Sequence, residues 1–261
     1  MKTKGLWLMI FLLGIFFSAQ AMDHVKGDGK LTTKKIAIDD YNSIKIEEAV
    51  ELIYEQSNSA PYLEVTVDEN LHQYVNIDID DRELTVGFSG ANIDHFTKFI
   101  VKTNSKWLKK VNTSDVASVT INGNITGDEL SLTASSNGTV LTNGTVKVSS
   151  LSLKSSSKGT ITMNNVQTGK LSCNILTSGV INLKGGKADE ASMDIATSGN
   201  IDAVNVAIPQ LSCKIAGTGT AVVHPTDNLK ATIIGKGTIR YKGPTAVQQK
   251  IIGKGTVEEI K

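Results

Sequence analysis

From residue 130 onward the chain alternates. Apolar residues occupy every second position of short runs, with Ser, Thr, Lys, Asn and Asp between them. A period of two marks a strand with one buried face. The runs also return at a fixed interval, set by glycine. Gly138, Gly159, Gly179, Gly199, Gly219, Gly237 and Gly255 are separated by 21, 20, 20, 20, 18 and 18 residues. Eight residues before each glycine stand Leu130, Leu151, Leu171, Ala191, Leu211, Leu229 and Val247. Six before stand Leu132, Leu153, Cys173, Met193, Cys213, Ala231 and Gln249. Four before stand Ala134, Ser155, Ile175, Ile195, Ile215, Ile233 and Ile251, and two after stand Val140, Ile161, Ile181, Ile201, Ala221, Ile239 and Val257.

A strand repeat this short cannot bury its own apolar face, so the copies must stack. The pattern predicts an all-β chain: a right-handed parallel β-solenoid with about seven C-terminal coils of 18–21 residues. Like residues then lie above one another at roughly 4.8 Å per coil. The expected core is Leu151, Leu171, Cys173, Ile175, Ile181, Met193, Ile195, Ile201, Leu211, Cys213, Ile215, Leu229, Ile233 and Ile239. The repeated glycines are expected at corners with positive φ, where a side chain is costly. Cys173 and Cys213 share a column two coils apart, roughly 9.6 Å, too far for a disulfide. They are expected as free, buried thiols.

Residues 36–110 also alternate, but without the repeat. Ile44 and Ile46, then Val50, Leu52 and Tyr54, then Leu63, Val65 and Val67 form three runs; Val75 to Ile79 and Leu84 to Phe88 form two more. Asp39-Asp40, Ser57 to Pro61, Asp68 to Asn70 and Asp80 to Arg82 punctuate them as turns. This irregular β region is expected to build the entry end of the solenoid or a small sheet packed on it. Residues 22–35 are expected as a flexible leader. Residues 1–21 carry Lys2 and Lys4, an apolar run from Gly5 to Phe17 and an Ala19-Gln20-Ala21 cleavage site, the form of a secretory signal. The division is thus 1–21 signal, 22–35 leader, 36–110 N-terminal β region and 111–261 solenoid, with no membrane span after cleavage and a working place in the periplasm or at the cell surface.

Charge separates the two halves. The 27 Lys+Arg and 26 Asp+Glu nearly balance overall, which argues against a nucleic-acid partner. Residues 22–129 are acidic and residues 130–261 basic, an asymmetry that permits weak head-to-tail self-association. Eight of the nine aromatic residues after residue 21 lie at or before Trp107. Lys236, Arg240, Lys242, Lys250 and Lys254 cluster near the C-terminus, either as a basic patch for an anionic partner or as strand-edge lysines that discourage pairing. His24, His72, His95 and His224 lack metal-ligand spacing, and no cofactor motif appears. In the repeats only Asp194 and Asp202 fall near neighbouring positions, too sparse for the carboxylate sets of β-helix lyases and glycosidases.

In this order the motifs resemble one family, the putative auto-transporter adhesin head, or GIN domain. The resemblance runs over about residues 36–261. It rests on Ile44 to Leu52, on Val67-Asp68-Glu69-Asn70-Leu71, and on the corners Gly217-Thr218-Gly219-Thr220-Ala221, Gly235-Lys236-Gly237-Thr238-Ile239 and Gly253-Lys254-Gly255-Thr256-Val257. Tyr241-Lys242-Gly243-Pro244 is similar to the family's closing phrase. The family prefers Asp after the second corner glycine, where this chain has Thr, Val or Asn. The resemblance implies an exported, single-stranded right-handed parallel β-helix without established activity. The expected function is a non-enzymatic binding module for a glycan or for an envelope or host protein. The rivals are a periplasmic structural or assembly protein and a polysaccharide-cleaving enzyme.

Overall fold

The computed structural model describes residues 24–261; the secretory signal read at 1–21 lies outside them. The repeats wind into a parallel β-solenoid with three faces. On the first face, Ile125–Ala134, Thr139–Ser155, Gly159–Ile175, Gly186–Ile195, Asn200–Ile215, Thr220–Gly235 and Ala246–Gly253 stack in order through their C-terminal halves. The second face stacks the segments that follow each corner, from Ser118–Asn122 to Thr256–Ile260. The third face, through Val146, Val166, Gly186 and Val206, closes the section. Residues of one column pair directly, as in Leu151 with Leu171 and Ile175 with Ile195. Every residue named above as core is buried. Cys173, Met193 and Cys213 follow one another up the stack, and both thiols are free and buried.

The corner glycines need a correction. Positive φ occurs at Gly179 (155°) and Gly199 (124°), but the other five repeat glycines do not share it. In the last two corners it has moved two residues back, to Gly235 (127°) and Gly253 (124°), and in earlier ones it falls on Ser136 and Ser157. What requires the later glycines is close approach. A Cβ on Gly219 would lie 2.5 Å from Ile195 Cγ2, and one on Gly237 2.4 Å from Ile215 Cγ2. Each such glycine lets the isoleucine of the coil below fill its corner.

The N-terminal region contributes coils of its own, out of chain order. Its strands are β1 (His24–Lys26), β2 (Leu31–Ala37), β3 (Ser43–Ile46), β4 (Glu51–Gln56), β5 (Tyr62–Asp68), β6 (Val75–Asp80), β7 (Glu83–Phe88), β8 (Asn92–His95) and β9 (Ile100–Ser105). β3 pairs with Lys110–Thr113 on one side and with β7 on the other; β4 pairs likewise with Ser118–Asn122 and β9. The coil made of β7 and β9 is therefore laid outside the coil made of β3 and β4, although it comes later in the chain. Antiparallel strands then close the end: β6 covers β7, β5 covers β9, and β2 covers β5. The leader expected over 22–35 is not loose from residue 24 on. β1 pairs with β8, and β2 is the outermost strand of the cap.

Candidate functional site

A groove of about 820 Å³ runs along the solenoid, where the third face turns into the first. Its cause is a break in the alternation. Two consecutive residues point outward at Ser149-Ser150, Asp189-Glu190 and Pro209-Gln210, and the pairing ladder skips Ser149, Gly169 and Asp189. An extra outward residue in each coil bends the strand, as a β-bulge does. Stacked bends make a groove.

The groove has a floor and two walls. The floor is the column Leu151, Leu171, Ala191, Leu211 and Leu229, all buried. Ala191 is the shortest and most exposed of them at 8%, so the floor dips at the middle coil. One wall carries Ser150, Lys170, Glu190, Gln210 and Asn228. Lys170 Nζ lies 3.2 Å from Glu190 Oε1 within it. The other wall is a ladder of serines. Ser172, Ser192 and Ser212 line it on successive coils, Lys230 and Gln248 continue the row, and the same column runs on below the groove through Ser152 and Ser131. Asn174 Nδ2 donates to Ser172 Oγ (2.9 Å), and Ser192 Oγ donates to Asp194 Oδ2 (3.0 Å). Each hydroxyl can both donate and accept. The wall therefore offers one such group per coil at roughly 4.8 Å.

The two carboxylates singled out from the sequence are not brought together. Asp194 lies on the first face beside Ser192, and Asp202 lies on the second, where it accepts from the Val204 amide. The acid on the groove wall is Glu190, four residues along the strand from Asp194. Four strand residues span roughly 13 Å, wider than the carboxylate pairs that hydrolyse glycosides. Among the described residues no group of three His, Cys, Asp or Glu could hold a metal ion. Burial raises both cysteine thiols, that of Cys213 to about 12, so neither is a ready nucleophile. The core and corner residues named from the sequence are scaffold to this groove. The serine row was missed because its residues are the polar half of an alternation read for its apolar half; its signal was a serine directly after each member of the Leu130 column, at 131, 152, 172, 192 and 212.

A second surface runs along the corner between the first and second faces. There Leu176, Ala196, Ala216, Ile234 and Ile252 occupy the outward position after the isoleucine column, and Leu176 (59%), Ile234 (42%) and Ile252 (53%) are exposed. The sequence reading did not anticipate it. Among the described residues no helix is long and apolar enough to cross a membrane.

Comparison with known proteins adds three findings. The family described as "Putative auto-transporter adhesin, head GIN domain" matches residues 40–143 and, a second time, 131–244. Among solved structures, a putative adhesin from Parabacteroides merdae is 60% identical, with a TM-score of 0.90 over 92% of this chain and 100% of that one. A putative adhesin from Parabacteroides distasonis is 54% identical, with a TM-score of 0.90 over 91% of this chain and 100% of its own. A protein from the same organism described as a putative lipid binding protein is 31% identical, with a TM-score of 0.86 over 92% and 100%. A search among curated proteins returned no match.

Proposed function

The chain belongs to the putative auto-transporter adhesin head GIN domain family, and from that premise we propose that it is an exported, non-enzymatic binding protein that holds a linear glycan along the serine ladder. The observation that carries this reading is the groove itself: three serines in line, Ser172, Ser192 and Ser212, one per coil, over an apolar floor. A linear polysaccharide repeats its hydroxyls at a similar interval and can pair with several rungs at once. On the walls Lys170 is paired with Glu190 and Lys230 adds one positive charge, which suits a neutral or weakly acidic polymer. No aromatic side chain lines the groove, so each sugar is held weakly and the affinity comes from the number of coils engaged. The absence of a closely spaced acid pair on the walls supports binding without cleavage.

The test is a panel of neutral and acidic polysaccharides bound to the parent and to the triple variant Ser172→Ala, Ser192→Ala, Ser212→Ala. The variant keeps the core columns intact and should lose binding at least tenfold, with melting unchanged. Equal binding by both proteins, or none by either, removes the groove as the site. Protease accessibility on intact and permeabilised cells tests the location. Cleavage on intact cells supports a surface adhesin, and protection until permeabilisation favours a periplasmic partner.

A second reading has its own observation. The exposed corner stripe from Leu176 to Ile252 is apolar along its length, and one relative is described as a putative lipid binding protein. On this reading an acyl chain lies along the corner. Leu176→Glu with Ile234→Glu would abolish flotation with liposomes and leave glycan binding untouched.

A further inference from the structure

The two ends of the solenoid differ, and among the described residues no strand covers the C-terminal end. Among the described residues Ala246–Gly253 pairs only with Thr220–Gly235, and Thr256–Ile260 only with Thr238–Lys242. Their outer edges carry unpaired backbone amides and carbonyls, a template for another strand. Ile251 (39%) and Ile252 (53%) are exposed there. We propose that this end is an isologous interface, at which a second copy of the chain docks end to end across a two-fold axis through the corner at Lys254.

The geometry leads to one register. A two-fold axis perpendicular to the rod and through this corner lays Ala246–Gly253 of one copy antiparallel against Thr256–Ile260 of the other, twice. The inward columns must stay inward across the seam, because a slip of one residue turns every side chain to the other face. Ile251 and Gln249 are inward on one strand, and Val257 and Glu259 on the other, by their pairing with Ile233, Ala231, Ile239 and Tyr241. Setting Ile251 opposite Val257 joins the two apolar positions. The same register sets Gln249 opposite Glu259, an amide donor against a carboxylate. On the outer face it sets Lys250 opposite Glu258. Slips of two residues in either direction set Ile251 against Glu259 or Gln249 against Val257, and lose the match.

The charges are sorted as this pairing requires. Ala246–Gly253 holds one charged residue, Lys250, and Thr256–Ile260 holds two, Glu258 and Glu259. Glu258 also lies 2.9 Å from Arg240 Nε, so Lys250 of the second copy would complete a three-membered network. One contact opposes docking: the two Lys254 side chains meet near the axis. A closed, two-fold contact stops at the dimer, whereas head-to-tail stacking of acidic on basic ends would continue. The dimer is a rod of doubled length, with its two grooves on opposite flanks, able to bridge two ligands.

Sedimentation velocity over a range of concentrations, with small-angle scattering on the same samples, tests this. The expected result is a monomer–dimer equilibrium in which the dimer is about twice as long as the monomer. Lys250→Glu should weaken association at least tenfold with melting unchanged. Adding Glu258→Lys to it should restore most of the loss, and Lys254→Gln should tighten the dimer. A monomer at every concentration, a dimer no longer than the monomer, a ladder of larger oligomers, or a dimer indifferent to Lys250→Glu would each overturn the proposal.

Discussion

The same coil register runs the length of the molecule, yet its two ends meet water in opposite ways. A solenoid interior is continuous, so its last coil at each end exposes whatever the columns contain. At the N-terminal end the answer is bulk and cover. Tyr41, Tyr54, Phe99 and Leu71 are fully buried, and Phe88 packs on Phe96 and Phe99 with ring centroids 5.4 and 4.6 Å apart. The two tyrosines keep their polar ends satisfied: Tyr41 shares a 2.7 Å hydrogen bond with Thr103 Oγ1, and Tyr54 donates to the Ser105 carbonyl. Antiparallel strands β6 and β5 then cover the outer edges of β7 and β9, and β2 covers β5. At the C-terminal end no such cover exists among the described residues. Instead the columns change character, with Gln249 following Ala231 and Glu259 following Tyr241. One end is sealed with aromatic volume and the other is made tolerable to water, or to a partner, by polarity. The aromatic asymmetry of the sequence has this physical cause.

The largest effect is expected between the ends, where neither device can help. Ile195 is buried mid-stack between Ile175 and Ile215. Ile195→Asp places an unpaired carboxylate there and should cost about 4 kcal/mol or more. Thermal melting that matches the parent would break the column assignment. Next comes the latch of the sealed end. Asp68 is buried and accepts from the Gly29 amide (2.8 Å), the Thr97 amide (2.7 Å) and the Thr97 hydroxyl (2.8 Å). It thereby ties the β1–β2 turn and the β8–β9 loop to β5. Burial alone would raise its carboxyl, but these donors outweigh it and hold the group below the usual carboxylate range. A depressed pKa gives stability that is present above the unfolded value, near pH ~3.9, and is lost as pH falls through the lower folded value. Asp68→Asn should cost about 2 kcal/mol at neutral pH. It should also flatten the acid limb of the stability curve below about pH 4, and amide exchange should quicken in β1 and β2 before the central coils. An unchanged acid limb would remove Asp68 as the latch.

The sequence made the repeats legible for a simple reason: a parallel stack puts each residue on its own equivalent, so one column of isoleucines is both the pattern and the contact. Ile175, Ile195, Ile215 and Ile233 could be aligned by eye and are buried in that order. The cap was legible as strands but not as topology. β9 went unread because its inward positions after Val101 are Thr103 and Ser105, polar residues that bond Tyr41 and Tyr54. Nor does any local pattern say that a later coil is laid outside an earlier one; that follows from long-range pairing of β7 and β9 with β3 and β4. The groove needed the bend at Ser149, Gly169 and Asp189, a one-residue defect in an alternation that otherwise drew all attention to its buried half.

The corner glycines give the finest test of how the ends differ, since the same change can be made at equivalent places. Gly219→Ala drives a methyl against Ile195 Cγ2 at 2.5 Å, and Gly255→Ala drives one against Ile233 Cγ2 at 2.4 Å. The local clash is nearly equal. What differs is the freedom to relax. Above Gly219 lie two more coils, and the corner is held on both sides by Gly199 and Gly237. Above Gly255 lies nothing among the described residues, so the last coil can lift. Overpacking in a filled interior costs about 1–3 kcal/mol, and a site that can shift gives most of it back. Gly219→Ala should therefore cost about 2 kcal/mol and Gly255→Ala less than about 1 kcal/mol in urea melts. Equal losses would mean that the terminal coil is held as firmly as the middle ones. Measured above and below the dimerisation concentration, that equality would show whether a second copy holds it.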